Sequence, residues 1–248
     1  MRTLREVLEM VKNEDTKGIL FVDDFGNEKK ITYSKMYNDA IDLLNYFMEK
    51  GIVPGDKVLM QIEEDITYVR TLWACILGGI VAVPLDIAAN EEKKAQLLKI
   101  CNMLGNVFIV KDNNEEDSYT SAIQCIDISN KLQKKWGNNK LILNVEIKED
   151  DAVFYMFTSG STGTPKGVIL TNKNMVSNLC AISKHYEIKK NVDCSLSWMP
   201  FSHVLGLVLG LFVSIYACID QVKLSLNYYL LDPVEWLVKA SKHKVTLL

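Results

Sequence analysis

Ala152-Val-Phe-Tyr-Met-Phe157 is an unbroken apolar run, and Thr158-Ser-Gly-Ser-Thr-Gly-Thr-Pro-Lys-Gly167 follows it directly. The first stretch reads as a strand buried on both faces. The second gathers hydroxyl side chains, three glycines and one lysine within ten residues. In open α/β sheets, ligands bind beyond the carboxyl ends of such strands. Glycines let backbone N–H groups turn inward with no Cβ in the way. The hydroxyls add donors, and Lys166 adds a mobile positive charge. This is the chemistry of gripping a polyphosphate, with charge-assisted hydrogen bonds contributing roughly 1.5–3 kcal/mol each. A flexible linker does not fit, because the apolar run Val168-Ile-Leu170 follows at once. A Walker A loop does not fit either. That motif has Gly directly before its Lys and Ser or Thr directly after, whereas here Pro165 precedes Lys166 and Gly167 follows it.

Outward from this stretch, apolar strands and amphipathic helices alternate. Residues 18–22 and 30–33 read as a hairpin around Asp24-Phe-Gly-Asn27. Tyr37, Ile41, Leu44 and Met48 recur on one helical face, and Gly51 with Pro54-Gly-Asp56 stops that helix. Residues 57–62 read as a strand, and Asp65 as the cap of a helix carrying Ile66, Val69, Trp73, Ile76 and Leu77. A strand at 80–83, a helix near 91–104 and a strand at 107–110 continue the rhythm. The spacing predicts an α/β fold of layered, mostly parallel sheets flanked by helices. Between Lys111 and Asp151 the signal fades into the polar stretches Asn113-Asn-Glu-Glu-Asp117 and Lys134-Lys-Trp-Gly-Asn-Asn139. A division is therefore expected there, between a first α/β subdomain over 1–150 and a phosphate-loop segment over 151–248. Lys244-Val-Thr-Leu-Leu248 reads as a strand just begun, so the second segment is expected to be incomplete.

Composition removes several classes of function. The chain has 248 residues, 48% of them hydrophobic and 24% charged, which is ordinary for a folded domain rather than a disordered one. Lys+Arg 28 against Asp+Glu 31 gives a net charge of −3, so no basic surface for nucleic acid is expected. The six cysteines, at 75, 101, 125, 180, 194 and 218, form no Cys-x-x-Cys pair. They read as reduced thiols in a cytoplasmic protein, with neither a disulfide framework nor a zinc site. The N-terminal residues mix charges with Leu4, Val7, Leu8 and Val11 at helical spacing, unlike an export signal. Residues 204–219 are nearly all apolar and carry Gly206 and Gly210 at a membrane-helix packing spacing. The run falls short of the ~20 residues a membrane span needs, so a buried helix is expected and no membrane partner.

Phe157-Thr-Ser-Gly-Ser-Thr-Gly-Thr-Pro-Lys-Gly167 resembles the phosphate loop of the adenylate-forming superfamily: acyl-CoA synthetases, peptide-synthetase adenylation domains and luciferases. Further pieces fall in the family's order: Ile31-Thr-Tyr-Ser34, Val53-Pro-Gly-Asp-Lys-Val58 and Leu77-Gly-Gly-Ile-Val-Ala-Val-Pro-Leu-Asp86. Trp198-Met-Pro-Phe-Ser-His-Val-Leu-Gly206 and Asp232-Pro-Val-Glu-Trp236 are most similar to acyl-activating domains of hybrid polyketide/nonribosomal peptide synthetases. The resemblance spans nearly the whole chain, which covers only the front part of the family's N-terminal domain. Motifs for adenine, ribose and magnesium, and the lysine-bearing C-terminal domain, are not among these residues.

The resemblance implies ATP-dependent activation of a carboxylic acid as an acyl-adenylate. The acyl group then passes to the phosphopantetheine thiol of a carrier protein or to coenzyme A. It implies that Thr158, Ser159, Ser161, Thr162, Thr164 and Lys166 hold the ATP phosphates, while Gly160, Gly163 and Gly167 permit the loop's shape. His203 is expected near the substrate carboxylate or acyl group. An aspartate tends to occupy this region in amino-acid-activating relatives, so a histidine suggests an acid without the ammonium. The main Mg2+ ligand is expected beyond these residues. A rival expectation is a catalytically silent fragment that binds nucleotide weakly or needs a separate C-terminal partner. His185 reads as a partly exposed helix residue and His243 as solvated. Trp73 and Trp236 read as packing residues. Asp23-Asp24 reads as part of a turn rather than a metal pair.

Overall fold

The computed structural model describes residues 1–113, 123–129, 145–158 and 165–248. The polar stretch at 134–139 and most of that at 113–117 lie outside them. In chain order the elements begin with α1 (Leu4–Met10), β1 (Gly18–Val22), β2 (Glu28–Thr32), α2 (Tyr33–Glu49), β3 (Lys57–Gln61) and α3 (Asp65–Gly78). Next come β4 (Val81–Pro84), α4 (Glu91–Leu104), β5 (Phe108–Lys111), β6 (Gln124–Asp127), β7 (Ala152–Thr158) and β8 (Lys166–Thr171). The chain then runs through α5 (Asn172–His185), β9 (Cys194–Ser197), α6 (Val204–Leu207), a π-helical turn (Val208–Phe212) and α7 (Val213–Ala217). It ends with β10 (Asp220–Leu224), α8 (Leu226–Leu231) and α9 (Val234–Lys242). The expected α/β architecture is present. Two units emerge, one formed by Met1–Asn38 with Lys173–Leu248 and the other by Asp39–Asn172. The first is discontinuous in sequence, unlike the continuous 1–150 and 151–248 segments expected.

The first unit is discontinuous because its sheet, in the order β2-β1-β10-β9, pairs strands from opposite ends of the chain. β1 runs parallel to β10 with Ile19 beside Gln221, and β10 runs parallel to β9. β2 folds back antiparallel on β1. Asp23 closes their connecting turn by accepting from the N–H groups of Phe25 and Asn27, each at 2.9 Å. One face of the sheet buries Val22, Leu196, Val222 and Leu224 against Trp198, Tyr228 and Trp236. The expected final strand appears as a single parallel bridge from Leu247 to Ser195.

The second unit is a six-stranded sheet, β6-β5-β3-β4-β7-β8, parallel throughout except for β8. Its parallel strands are buried runs such as Lys57–Gln61 and Val81–Pro84, as helices covering both faces require. The helical face of α3 buries Trp73, Leu72, Ile76 and Leu77. The capping residue of α3 is Glu64, not Asp65, which is the first helical residue. Asp112 accepts from the N–H groups of Glu63 and Glu64, at 3.1 and 3.0 Å, and so holds the chain entering α3. Gly79 ends that helix with φ +66, a left-handed conformation open to glycine. Strand β6 lies where the sequence signal had faded.

His243 is not the solvated residue expected. It lies 3.2 Å from Glu28, which also accepts from Lys239 at 2.7 Å and Lys242 at 2.9 Å. These hydrogen bonds, led by Lys239, hold the Glu28 carboxyl down at about 2. A depressed carboxyl pKa stabilises the fold above the unfolded value, here 4.5, and that contribution disappears as pH falls toward 2. Glu28→Gln should therefore lower the Tm at neutral pH. The gap to the native chain should close as pH falls from 4.5 toward 2, which thermal melts across that range will check.

Candidate active site

The loop after β7 is held by its ends. In the antiparallel register Thr158 stands opposite Lys166, and Phe157 opposite Gly167. Lys166 therefore opens an antiparallel strand directly beside the end of β7, whereas the lysine of a Walker loop leads into a helix. Thr158, Lys166 and Gly167 are exposed there, and Pro165 is buried. The register thus brings the hydroxyl of Thr158 and the ammonium of Lys166 to one end of the sheet. Gly167 has a further reason to lack a side chain: a Cβ would come within 3.0 Å of the Phe157 ring. Ser159, Gly160, Ser161, Thr162, Gly163 and Thr164 lie outside the described residues.

His203 belongs to the first unit, whereas Thr158, Lys166 and Gly167 belong to the second. It sits in the turn between β9 and α6, at the N-cap position of α6, with extended backbone (φ −95, ψ 144) and no side-chain capping bond. It is exposed, so it is not a core histidine. The turn is tightly specified. The Met199 N–H donates to Ser197 Oγ at 3.2 Å, and the His203 N–H to the Pro200 carbonyl at 3.2 Å. The Leu207 N–H closes back on the His203 carbonyl at 2.8 Å.

The glycines at 206 and 210 explain how the following helix approaches. A Cβ on Gly206 would fall 2.0 Å from the Pro200 carbonyl oxygen, and one on Gly210 would fall 2.7 Å from Ser197 Oγ. Their spacing serves contact with the protein's own backbone and strand, not a neighbouring membrane helix. Leu207, Leu211, Phe212 and Ile215 are buried, while Val204, Leu205 and Leu209 are exposed. The expected buried helix is therefore buried on one side only and is interrupted by the π turn at Val208–Phe212. Such turns are frequent at functional sites. No helix among the described residues is long and apolar enough to cross a membrane. Within the same unit, Ser214 on α7 and Ser195 on β9 share a hydrogen bond of 2.6 Å.

Sequence reasoning missed Lys223. Its neighbours Val222 and Leu224 enter the apolar cluster, whereas Lys223 itself is 1% exposed on the other face of β10. Strand alternation was the available signal: a lysine inside a run of strand residues must point somewhere. The thiols at 101 and 194 are pushed up to about 11 by burial, and that at 75 higher still. These three thiols therefore stay protonated near neutrality. Trp73 is fully buried, and Trp236 packs edge-on to Tyr229, as packing residues should. His185 is exposed.

Comparison with known proteins adds to this geometry. A family described as AMP-binding enzyme matches residues 11–248. A putative fatty-acid–CoA ligase, fadD25 of Mycobacterium tuberculosis, is 28% identical over 94% of this chain and 42% of its own length. A medium-chain fatty-acid ligase acting on an acyl-carrier protein, JamA of Moorena producens, is 25% identical over 80% of this chain and 35% of its own. The structure of McyG A-PCP complexed with phenylalanyl-adenylate superposes with a TM-score of 0.89 at 30% identity, covering 99% of this chain and 40% of that one. A fatty acid AMP ligase from Legionella pneumophila shares the fold, with a TM-score of 0.85 at 23% identity. The chain thus spans about two-fifths of the length of these relatives.

The close approach at Gly206 gives a direct check. Gly206→Ala places a methyl against a backbone carbonyl, which cannot swing away as a side-chain end can. The expected cost is about 1–3 kcal/mol, read as a Tm several degrees lower. Gly51→Ala is the contrasting substitution, because a Cβ there meets nothing within 4 Å and the penalty is conformational only, from φ +86.

Proposed function

The chain belongs to the AMP-binding enzyme family, and from that premise we propose that it takes part in ATP-dependent activation of a carboxylic acid. In this reaction a carboxylate oxygen attacks the α-phosphorus of ATP. The α–β phosphoanhydride bond breaks, pyrophosphate leaves, and a mixed acyl-phosphate anhydride forms. A thiolate then attacks the acyl carbon and AMP departs. The first step brings two anions together, so positioning and charge stabilisation dominate it.

The observation that supports the reading is the pairing of Thr158 with Lys166 at the carboxyl end of β7, with a hydroxyl- and glycine-rich sequence between them. Thr158, Ser159, Ser161, Thr162, Thr164 and Lys166 hold the β- and γ-phosphates, and Gly160, Gly163 and Gly167 give the loop its close approach. His203, exposed at the start of α6, lies near the substrate carboxylate or acyl group. A histidine there suits an acid without an α-ammonium, so an α-keto, hydroxy or fatty acid is preferred over its amino analogue. The acceptor is the phosphopantetheine thiol of a carrier protein or coenzyme A, and the setting is the cytoplasm. Magnesium accompanies the ATP, with its main ligand outside these residues. Among the described residues no three His, Cys, Asp or Glu side chains converge, and no step is assigned to the metal.

A second reading is that residues 1–248 taken by themselves bind nucleotide weakly and do not turn it over. Carboxylate-dependent exchange of pyrophosphate into ATP separates the two. We expect little or no exchange from residues 1–248 alone; full exchange would overturn the second reading. Calorimetric titration with ATP should show weak binding to the chain. Lys166→Ala should weaken it about ten- to a hundredfold, corresponding to roughly 1.5–3 kcal/mol, with an unchanged melting temperature. ATP affinity indifferent to Lys166 would remove the loop from the proposed site.

A further inference from the structure

We propose that Lys223 is a positioning residue for His203, acting through the ring of Phe201. The inference rests on the reading of His203 as an acyl-side residue, and it names what aims that side chain. Lys223 lies near the end of β10, a strand flanked on both sides, by β1 and by β9. Its ammonium nitrogen donates to the Leu224 carbonyl at 2.8 Å and stands 4.9 Å from the centroid of the Phe201 ring. Phe201 is itself 2% exposed and stands two residues before His203.

The reasoning is electrostatic. Taking an ammonium out of water is costly unless local dipoles and charges replace its hydration. A carbonyl and an aromatic face both present negative potential to the cation, and an attraction to a ring strengthens when water is excluded. A methionine or leucine would fill the same volume without that cost. The lysine therefore adds something volume alone does not: an electrostatic attraction to one face of the Phe201 ring. Three further contacts hold the same turn. Ser197 Oγ accepts from the Met199 N–H, and the His203 N–H donates to the Pro200 carbonyl. Gly206 brings α6 onto the Pro200 carbonyl. Those three act on the backbone of the turn, whereas Lys223 acts on its buried side chain. The exposed imidazole of His203 is left at the end of a segment anchored from below.

The test is histidine NMR on the full chain, which needs no turnover. The chain has three histidines, so His203→Gln identifies the ring signal of residue 203 by its loss. Lys223→Met, which keeps the volume and removes the charge, should move or broaden the His203 ring resonance while those of His185 and His243 stay in place. Lys223→Arg, which keeps the charge, should restore a single sharp signal. If Lys223→Met fails to fold, Phe201→Leu removes the ring face alone and should move the same resonance. A His203 signal unchanged in a folded Lys223→Met or Phe201→Leu chain would overturn the proposal, as would Lys223→Arg behaving like Lys223→Met. Because the readout is the imidazole itself, failure here leaves the acyl-activation reading standing, and ATP affinity indifferent to Lys166 leaves this one standing.

Discussion

The antiparallel pairing of β7 with β8 is the constraint on which the candidate site depends. A parallel neighbour would have demanded a long crossover and carried the loop away from the strand that launched it. Antiparallel return lets residues 159–165 leave from Thr158 and arrive at Lys166 directly opposite. The loop's ends are thereby fixed by main-chain hydrogen bonds rather than by its own composition. A lysine placed at the first position of the returning strand keeps its charge at the sheet's end whatever path the intervening residues take. This explains why a proline can stand directly before that lysine: Pro165 lies before β8 begins, where its missing N–H breaks no ladder bond.

The first unit shows how one sequence spacing can serve two kinds of physics. Gly206 and Gly210 stand four residues apart, the arrangement that lets membrane helices touch. Here the same absence of side chains lets α6 and the π turn close on Pro200 and Ser197 of their own unit. The decisive difference is what faces the glycines. A carbonyl oxygen at the distance of a would-be Cβ fixes a turn, whereas another helix would fix an assembly. The π turn follows immediately, and the buried Ser195–Ser214 hydrogen bond lies one turn further on. A helix in contact with a turn at one end and polar strand residues along its length is constrained in register as well as in position.

Much of this was legible in the sequence because it is local. Runs such as Lys57–Gln61 and Val81–Pro84 are apolar enough to announce buried parallel strands, and the helix expected near 91–104 is α4. What escaped is what depends on partners far along the chain. β6 has the short sequence Gln-Cys-Ile-Asp, in which only Ile126 is buried, so it has almost no periodic signal and exists because β5 pairs with it. His243 sits between lysines and reads as solvated, but Glu28 reaches it from β2. The discontinuous first unit follows from β1 pairing with β10 across some 200 residues of sequence, with Ile19 beside Gln221. The loop motif was found by composition and resemblance, while the hairpin register that holds it needed the structure.

Both candidate elements obey one rule in two separate sheets. Thr158 closes β7 at its carboxyl end, and the His203 turn follows the carboxyl end of β9. Lys223 lies near the carboxyl end of β10, the strand parallel to β9. In parallel sheets that end is where loops are free to vary while the strands beneath stay packed. The two lysines near these ends meet opposite surroundings. Lys166 is exposed at the first position of β8, so water solvates its ammonium. Lys223 is buried, and the Leu224 carbonyl at 2.8 Å and the face of the Phe201 ring stand where water would otherwise be.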